Sequence, residues 1–115
     1  MTNTAFNYVR TFRQRHCLSE AETAFLVDQR GHTMISKIEV GRKFPNLPTA
    51  LALQVLFRQS PRALFPGLYE QVEEEVMRRA KAFLEDIEGR DDRRSQAKRD
   101  LLEGLARLDN EDDDL

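Results

Sequence analysis

The sequence predicts an all-α protein, and three observations support this. Glycine (5) and proline (4) are scarce among the 115 residues, and no stretch alternates apolar and polar residues as a half-buried strand would. Apolar residues instead recur at helical spacing along most of the chain. Several segments also begin with a residue type that caps helices, namely Ser19, Asn46 and Ser60. We therefore expect a bundle of five short helices, followed by one or two amphipathic helices.

The first two helices are predicted from one apolar stripe and one cap. The stripe indicates a helix that ends near His16, and it consists of Ala5, Val9 and Phe12. Ser19 and Glu22 have the spacing of a capping box, in which each side chain accepts a hydrogen bond from the other residue's backbone amide. A second helix is therefore expected from Ser19 to about Val27. Cys17, the only cysteine, excludes an intrachain disulfide and is expected to be small and buried.

The third helix is expected over about residues 32–40. A turn at residues 28–31 precedes it, where Gly31 is free to adopt a positive φ. Its inner face is expected to consist of Met34, Ile35 and Ile38. Its outer face carries His32, Thr33, Ser36 and Lys37. Gly41 is placed to act as the C-cap of this helix.

Asn46 and Ser60 predict the starts of a fourth and a fifth helix. Each has a proline close behind it, which the first turn of a helix tolerates. The buried side of the fourth helix is expected to consist of Leu47, Leu51 and Val55. The fifth helix should continue through Phe65 and stop at Pro66-Gly67.

The chain changes character after residue 67. Residues 69–88 form an amphipathic segment whose apolar residues are separated by 4, 4, 3 and 4 positions; they are Val72, Val76, Ala80, Phe83 and Ile87. Residues 89–92 break it, and a further helix is expected over 95–108. Residues 109–115 are expected to be a disordered acidic tail, because like charges there repel one another. The predicted divisions are therefore 1–67, 68–108 and 109–115.

The net charge of −2 conceals two opposite halves. Residues 1–66 contain nine Lys/Arg against four Asp/Glu, a net charge of +5. Residues 67–115 contain nine Lys/Arg against sixteen Asp/Glu, a net charge of −7. A cationic first half suits the binding of a polyanion, and an acidic second half would repel the same polyanion. Solvated helix faces would explain the asymmetry equally well on charge alone.

The first half resembles a known family. The residues that carry the resemblance are Leu18-Ser19, Glu22, Ala24, Ile35-Ser36, Ile38-Glu39, Gly41-Arg42, Pro45, Leu51 and Leu64-Phe65. Their order resembles the Xre/Cro type of helix-turn-helix DNA-binding domain, found in transcriptional regulators, over roughly residues 6–66. The chain departs from the family pattern by a turn one residue longer, by Thr23 in place of a core leucine, and by Glu20 in place of a glutamine that contacts phosphate. A carboxylate repels phosphate, so Glu20 is left out of the expected contacts.

The resemblance implies roles for individual residues. It places His32, Thr33 and Lys37, with Ser36 beside them, against the DNA bases, and Lys37 is suited to donate to guanine. Phosphate contacts, which position a protein without reading sequence, are expected from Arg30, Arg42 and Lys43. The resemblance also pairs Arg13 with Glu39 as a buttress between the first and third helices. The alternative is that His32 is an ordinary surface residue and that Ser36 bonds only its own helix.

The expected function is that of a cytoplasmic homodimeric repressor that binds double-stranded DNA at a palindromic operator. The stripe Val72, Val76, Ala80, Phe83 and Ile87 is the expected dimer seam; the alternatives are packing onto the first domain or onto the 95–108 helix. A second hypothesis is an antitoxin-like adaptor that binds a basic protein through residues 67–115. Neither an enzyme, nor a cofactor, nor a metal site, nor a membrane span, nor a secretory signal is expected.

Overall fold

The computed structural model describes residues 5–27 and 31–113, with side chains described as far as residue 105. This part of the chain contains seven helices and no strand, so the predicted all-α class is confirmed for it. The helices are α1 (Val9–Arg15), α2 (Glu20–Leu26), α3 (His32–Glu39), α4 (Leu47–Phe57), α5 (Pro61–Leu64), α6 (Pro66–Asp86) and α7 (Arg93–Asp113). The chain divides into two compact units, Met1–Gln71 and Val72–Leu115, and the boundary lies within α6.

The capping box predicted at the start of α2 is confirmed. The Ser19 hydroxyl accepts a hydrogen bond from the Glu22 amide at 3.0 Å, and the Ser19 amide donates to the Glu22 carboxylate at 2.8 Å. Thr23, in the next position, is fully buried. Its hydroxyl donates to the Ser19 carbonyl at 2.9 Å, so a threonine is accommodated in the core without an unsatisfied polar atom.

Two expectations about α1 are wrong. The helix begins at Val9, so Ala5 lies before it rather than on its stripe. Cys17 is exposed, with a left-handed φ of 58°. The chain leaves α1 through this left-handed residue: the Cys17 amide donates to the Gln14 carbonyl and the Leu18 amide to the Arg13 carbonyl, which satisfies the last carbonyls of the helix. The Cys17 side chain therefore points to solvent instead of into the core.

The core of the first unit is formed by all five of its short helices. Its buried residues are Val9, Ala24, Val27, Ile35, Ile38, Leu53, Phe57, Leu64 and Phe65. Phe12 packs against Phe57, with their ring centroids 6.0 Å apart. The Tyr8 amide donates to the Leu64 carbonyl at 2.8 Å, which joins the start of α1 to the end of α5. Helix α3 contacts both α1 and α2, and this fixes its orientation in the unit.

Gly41 ends α3 as predicted. Its φ of +80° is left-handed, its amide donates to the Ile38 carbonyl, and the next amide, that of Arg42, donates to the Lys37 carbonyl at 2.9 Å. A Cβ at Gly41 would lie 2.4 Å from the Cβ of Ala5, so the close approach of these two segments also requires glycine. The positive φ expected at Gly31 is not used, because its φ of 167° is ordinary extended backbone.

The buried side predicted for α4 is wrong, although its Asn46 cap is confirmed. Asn46 accepts a hydrogen bond from the Thr49 amide at 3.0 Å. The buried residues of α4 are Thr49, Leu53 and Phe57. The three residues expected inside are exposed instead: Leu47 at 70%, Leu51 at 47% and Val55 at 78%. Because nearly every position of α4 is apolar, the spacing alone does not indicate which face is buried.

The second unit contains the rest of α6 and the whole of α7. Ile87 and Ser95, near the turn between these helices, are buried, as is Ala80. Asp92 precedes α7 and caps its first turn, because its carboxylate accepts hydrogen bonds from the Ser95 amide at 3.1 Å and from the Ser95 hydroxyl at 2.7 Å. The Arg99 guanidinium donates to the backbone carbonyls of Ile87 and Arg90. These bonds hold the turn between α6 and α7 against α7.

Both long helices differ in extent from the prediction. Helix α6 begins at Pro66, three residues before the predicted start, since proline is favoured in the first turn. Helix α7 continues to Asp113, so it includes most of the segment expected to be a disordered tail. Propagation of an established helix costs much less than its nucleation, which allows the helix to continue into an acidic sequence. Residues 114–115 lie outside the described part of the chain.

Candidate nucleic-acid interface

Helix α3 has one face in the core and one face in solvent. Ile35 and Ile38 are almost completely buried, and Met34 packs partly against the same core. His32, Thr33 and Lys37 are exposed, whereas Ser36 is half-buried. Three of the four residues expected to contact bases thus share a solvent-facing surface, and Ser36 lies at its edge.

Three cationic residues are brought together at the end of α3. The backbone amides of Arg42 and Lys43 both donate to the carbonyl of Lys37, at 2.9 and 3.3 Å. The left-handed turn at Gly41 folds the chain back in this way, so that Arg42 and Lys43 follow the helix closely instead of extending away from it. All three side chains are exposed. Arg30, the remaining predicted phosphate contact, lies outside the described residues.

A buried ion pair holds the C-terminal part of α3 against α1. The Arg13 guanidinium donates two hydrogen bonds to the Glu39 carboxylate, at 2.6 Å from Nε and 3.1 Å from Nη2. A third bond, from Nη1 to the Leu18 carbonyl, measures 2.9 Å. The two side chains are 10% and 4% exposed, and the hydrogen bond to Glu39 raises the pKa of Arg13. Glu39 is therefore neutralised by its partner and does not place a free negative charge beside Lys37.

Glu20 also interacts with Arg13, the residue that binds Glu39. Its charge also raises the pKa of Arg13, and its Oε2 atom is buried without a hydrogen-bond partner among the described residues. The carboxylate is attracted to a buried guanidinium, and this explains its inward position.

Asn7 supports α3 and was not singled out from the sequence. Its amide nitrogen donates to the Ile38 carbonyl at 2.9 Å and to the Ala5 carbonyl at 3.2 Å. Its side-chain oxygen accepts from the Val9 amide at 3.1 Å, at the start of α1. Asparagine is a common residue at helix starts, so a local role could have been read from the sequence. Its contact with a helix 31 positions away could not.

The residues of the expected dimer seam do not share one environment. Ala80 and Ile87 are buried within the second unit, whereas Val72, Val76 and Phe83 remain substantially exposed. On α7, Leu101 is exposed too, and Leu102 is half-buried. The expected seam thus divides into two parts. Ala80 and Ile87 are buried within the second unit, and the other three residues face solvent.

The exposed face of α3 is suited to hydrogen bonding with a polyanion. An α-helix with its side chains measures about 10–12 Å across, close to the width of the major groove of B-DNA, about 12 Å. Lysine and threonine side chains can reach base edges, and arginine and lysine at the helix end can bind phosphates. Within the described residues, no group of three His, Cys, Asp or Glu could hold a metal ion.

No described helix combines the length and apolar character that crossing a membrane requires. Comparison with known proteins finds no protein family, no curated protein and no solved structure that matches this chain.

Proposed function

We propose that this protein is a sequence-specific DNA-binding transcriptional regulator, and that α2 and α3 form a helix-turn-helix of the Xre/Cro type. The observation that carries the proposal is the arrangement of α3. Its inner face is fixed by Ile35 and Ile38, its C-terminal end is held by the Arg13–Glu39 pair, and its outer face is left exposed with a cationic end. A rigid helix with an accessible polar face is what reading a DNA groove requires.

The exposed residues divide into two roles. Lys37 and Thr33 read base edges, Lys37 by donating to guanine O6 or N7 and Thr33 through its hydroxyl or methyl group. His32, at the first position of α3, lies beside them and contacts a base by donating or accepting a hydrogen bond. Arg42 and Lys43 bind phosphates beside the groove, at the C-terminal end of α3, and fix the register of the helix without reading sequence.

Regulation is proposed to operate by occupation of an operator. One recognition helix covers only a few base pairs, so tight and specific binding requires two copies on half-sites about one DNA turn, roughly 34 Å, apart. A dimer bound across a palindromic operator would exclude other proteins from that DNA. The function proposed is therefore that of a repressor acting as a homodimer.

The test begins with selection of bound duplexes from a random pool, followed by titration of the selected duplex and of a random duplex. Lys37→Ala is expected to weaken binding to the selected duplex by about 1–3 kcal/mol, with a much smaller effect on random DNA. Arg42→Ala is expected to weaken both duplexes similarly and to reduce the slope of log affinity against log salt by about one. Lys81→Ala removes a matched exposed lysine from α6 and serves as the control.

Failure of the selection to enrich any sequence would contradict sequence-specific binding. Equal losses for Lys37→Ala on both duplexes would make Lys37 a phosphate contact. An unchanged salt slope for Arg42→Ala would remove that residue from the phosphate-binding set.

A further inference from the structure

An apolar groove runs between α6 and α7 in the second unit. It encloses about 410 Å³. Its walls are formed by Val76, Ala80 and Phe83 from α6 and by Leu101 and Leu102 from α7. Arg79 from α6 and Lys98 from α7, both exposed, also line it. The walls offer almost no polar atom that could orient a small ligand, and so the groove lacks the convergent polar groups typical of a small-molecule site.

The outer residues of the groove lie apart from the buried residues near the turn of the second unit. Ile87 and Ser95 are buried near the turn, where Arg99 closes the connection through backbone carbonyls. The outer residues are left in solvent: Val76 is 44% exposed and Leu101 66% exposed. Val72, one turn before Val76, extends this surface along α6, which then runs from Val72 to Phe83 over about 16 Å at 1.5 Å per residue. A contiguous apolar surface of this kind, with charged residues beside it, is typical of an interface with another protein.

The charges around the groove indicate which protein covers it. On α6, Glu73 and Glu75 lie near the Val72–Val76 end of the apolar surface, and Arg79 lies further along. Lys98, from α7, supplies a second cation to the lining. If two copies pair with their α6 helices antiparallel, the carboxylates of one copy approach the cationic residues of the other. Parallel pairing would place glutamates beside glutamates and arginines beside arginines, which is unfavourable.

We propose that the α6–α7 groove is closed by the same groove of a second copy of this chain, in an antiparallel, two-fold symmetric pairing. Val72 of one copy then lies near Phe83 of the other, and Glu75 lies near Arg79. The two-fold axis passes between Val76 and Ala80. Such an interface is isologous, so each apolar and each charged contact is made twice.

The pairing also specifies how the chain would engage an operator. A two-fold interface produces two α3 helices related by the same symmetry as a palindromic DNA site. This consequence rests on the proposed function, whereas the pairing itself rests only on the groove and its charges. The two proposals are therefore tested separately, and the pairing is measured without DNA.

The experiment is sedimentation velocity on the full chain over a range of concentrations. The unmodified chain is expected to show a monomer–dimer equilibrium, and Val76→Glu is expected to raise the dissociation constant at least about tenfold, because it places a charged carboxylate in an apolar interface. Val55→Glu introduces the same charge at an exposed apolar position of α4 and is expected to leave the equilibrium unchanged. Circular dichroism checks that both variants retain their helical content.

Orientation is tested with single cysteines in a Cys17→Ser background. A mixture of Val72→Cys and Phe83→Cys chains is expected to form mostly the mixed disulfide, because antiparallel pairing places these two positions together. Self-disulfides of each variant would show parallel pairing and overturn the proposal. It would also be overturned by a chain that stays monomeric up to about 100 µM, or by a dimer that Val55→Glu disrupts and Val76→Glu does not.

Discussion

Arg13 and Glu39 hold the end of α3 against α1, although neither side chain lies on the exposed face of α3. Removing both charges from water costs free energy, and their two mutual hydrogen bonds offset part of that cost. The third bond, to the Leu18 carbonyl, ties the pair to the turn after α1. Because Glu39 is the last residue of α3, the pair fixes the end of that helix at the point where Lys37 and Arg42 become exposed.

Replacing only one residue of this pair is expected to destabilise the protein strongly. Arg13→Met leaves the Glu39 carboxylate buried without its partner, and Glu39→Met leaves the guanidinium with the Leu18 carbonyl but without the carboxylate that it binds. Each single variant is expected to lower the free energy of unfolding by about 3–5 kcal/mol, as measured by urea denaturation. The double variant leaves neither member of the pair without the other and should be clearly more stable than either single variant. Single variants that cost less than about 1 kcal/mol would show that the pair behaves as an exposed one.

The sequence could indicate these two residues only through a family resemblance, because they are separated by 26 positions. The same limit applies to Asn7, whose bond to Ile38 depends on how α1 and α3 pack. Residues whose partners lie nearby in the sequence can be predicted more easily. The capping role of Ser19 and the helix-ending role of Gly41 could be read from neighbouring residue types alone.

At the level of helices, starts and ends were more predictable than faces. Caps at Ser19, Asn46 and Ser60 each satisfy an amide within three residues, so their chemistry is contained in a short segment. The buried face of α3 was equally clear, since polar residues occupy the rest of that helix. The face of α4 was not, because apolar residues surround the helix and only tertiary packing selects Leu53 and Phe57 for the core.

The capping box of α2 is expected to make stability depend on pH. Hydrogen bonds from the Ser19 backbone amide and from its side chain lower the pKa of Glu22 below its ordinary value of 4.5. The contribution of the carboxylate is thus fully present above that value and is lost as the pH falls through the lower pKa of the folded state. Glu22→Gln keeps a hydrogen-bond acceptor but cannot titrate.

Urea denaturation at neutral pH and near about pH 3 measures this effect. The unmodified chain should be more stable than Glu22→Gln at neutral pH, and the difference should shrink as the solution is acidified. A difference that stays constant across this range would mean that Glu22 has the same pKa in the folded and unfolded states. Ser19→Ala removes only the hydroxyl contribution and should retain part of the pH dependence, because the Ser19 amide still donates.

The whole molecule separates a cationic half from an acidic half. Residues 1–66 carry +5 and residues 67–115 carry −7, so the charges suited to DNA lie in the unit that contains α3. The acidic half is repelled by the same DNA, which disfavours non-specific binding through α6 and α7. The positions of the charged residues predicted this separation, and scarce glycine and proline, helical apolar spacing and capping residues predicted the all-α class. The sequence could not predict that Ala80 and Ile87 are buried while Val72, Val76 and Phe83 remain outside, since that depends on where α7 packs.

The central claim is that the exposed face of α3 enters the major groove of DNA. NMR titration of the ¹⁵N-labelled chain with a duplex tests it most directly, because backbone amides report contact along the whole chain even when the operator sequence has not been identified. The largest chemical-shift changes are expected at His32, Thr33 and Lys37 and at the adjoining Arg42 and Lys43, with little change along α7. Changes concentrated on α6 and α7, with the amides of α3 unaffected at saturation, would contradict it.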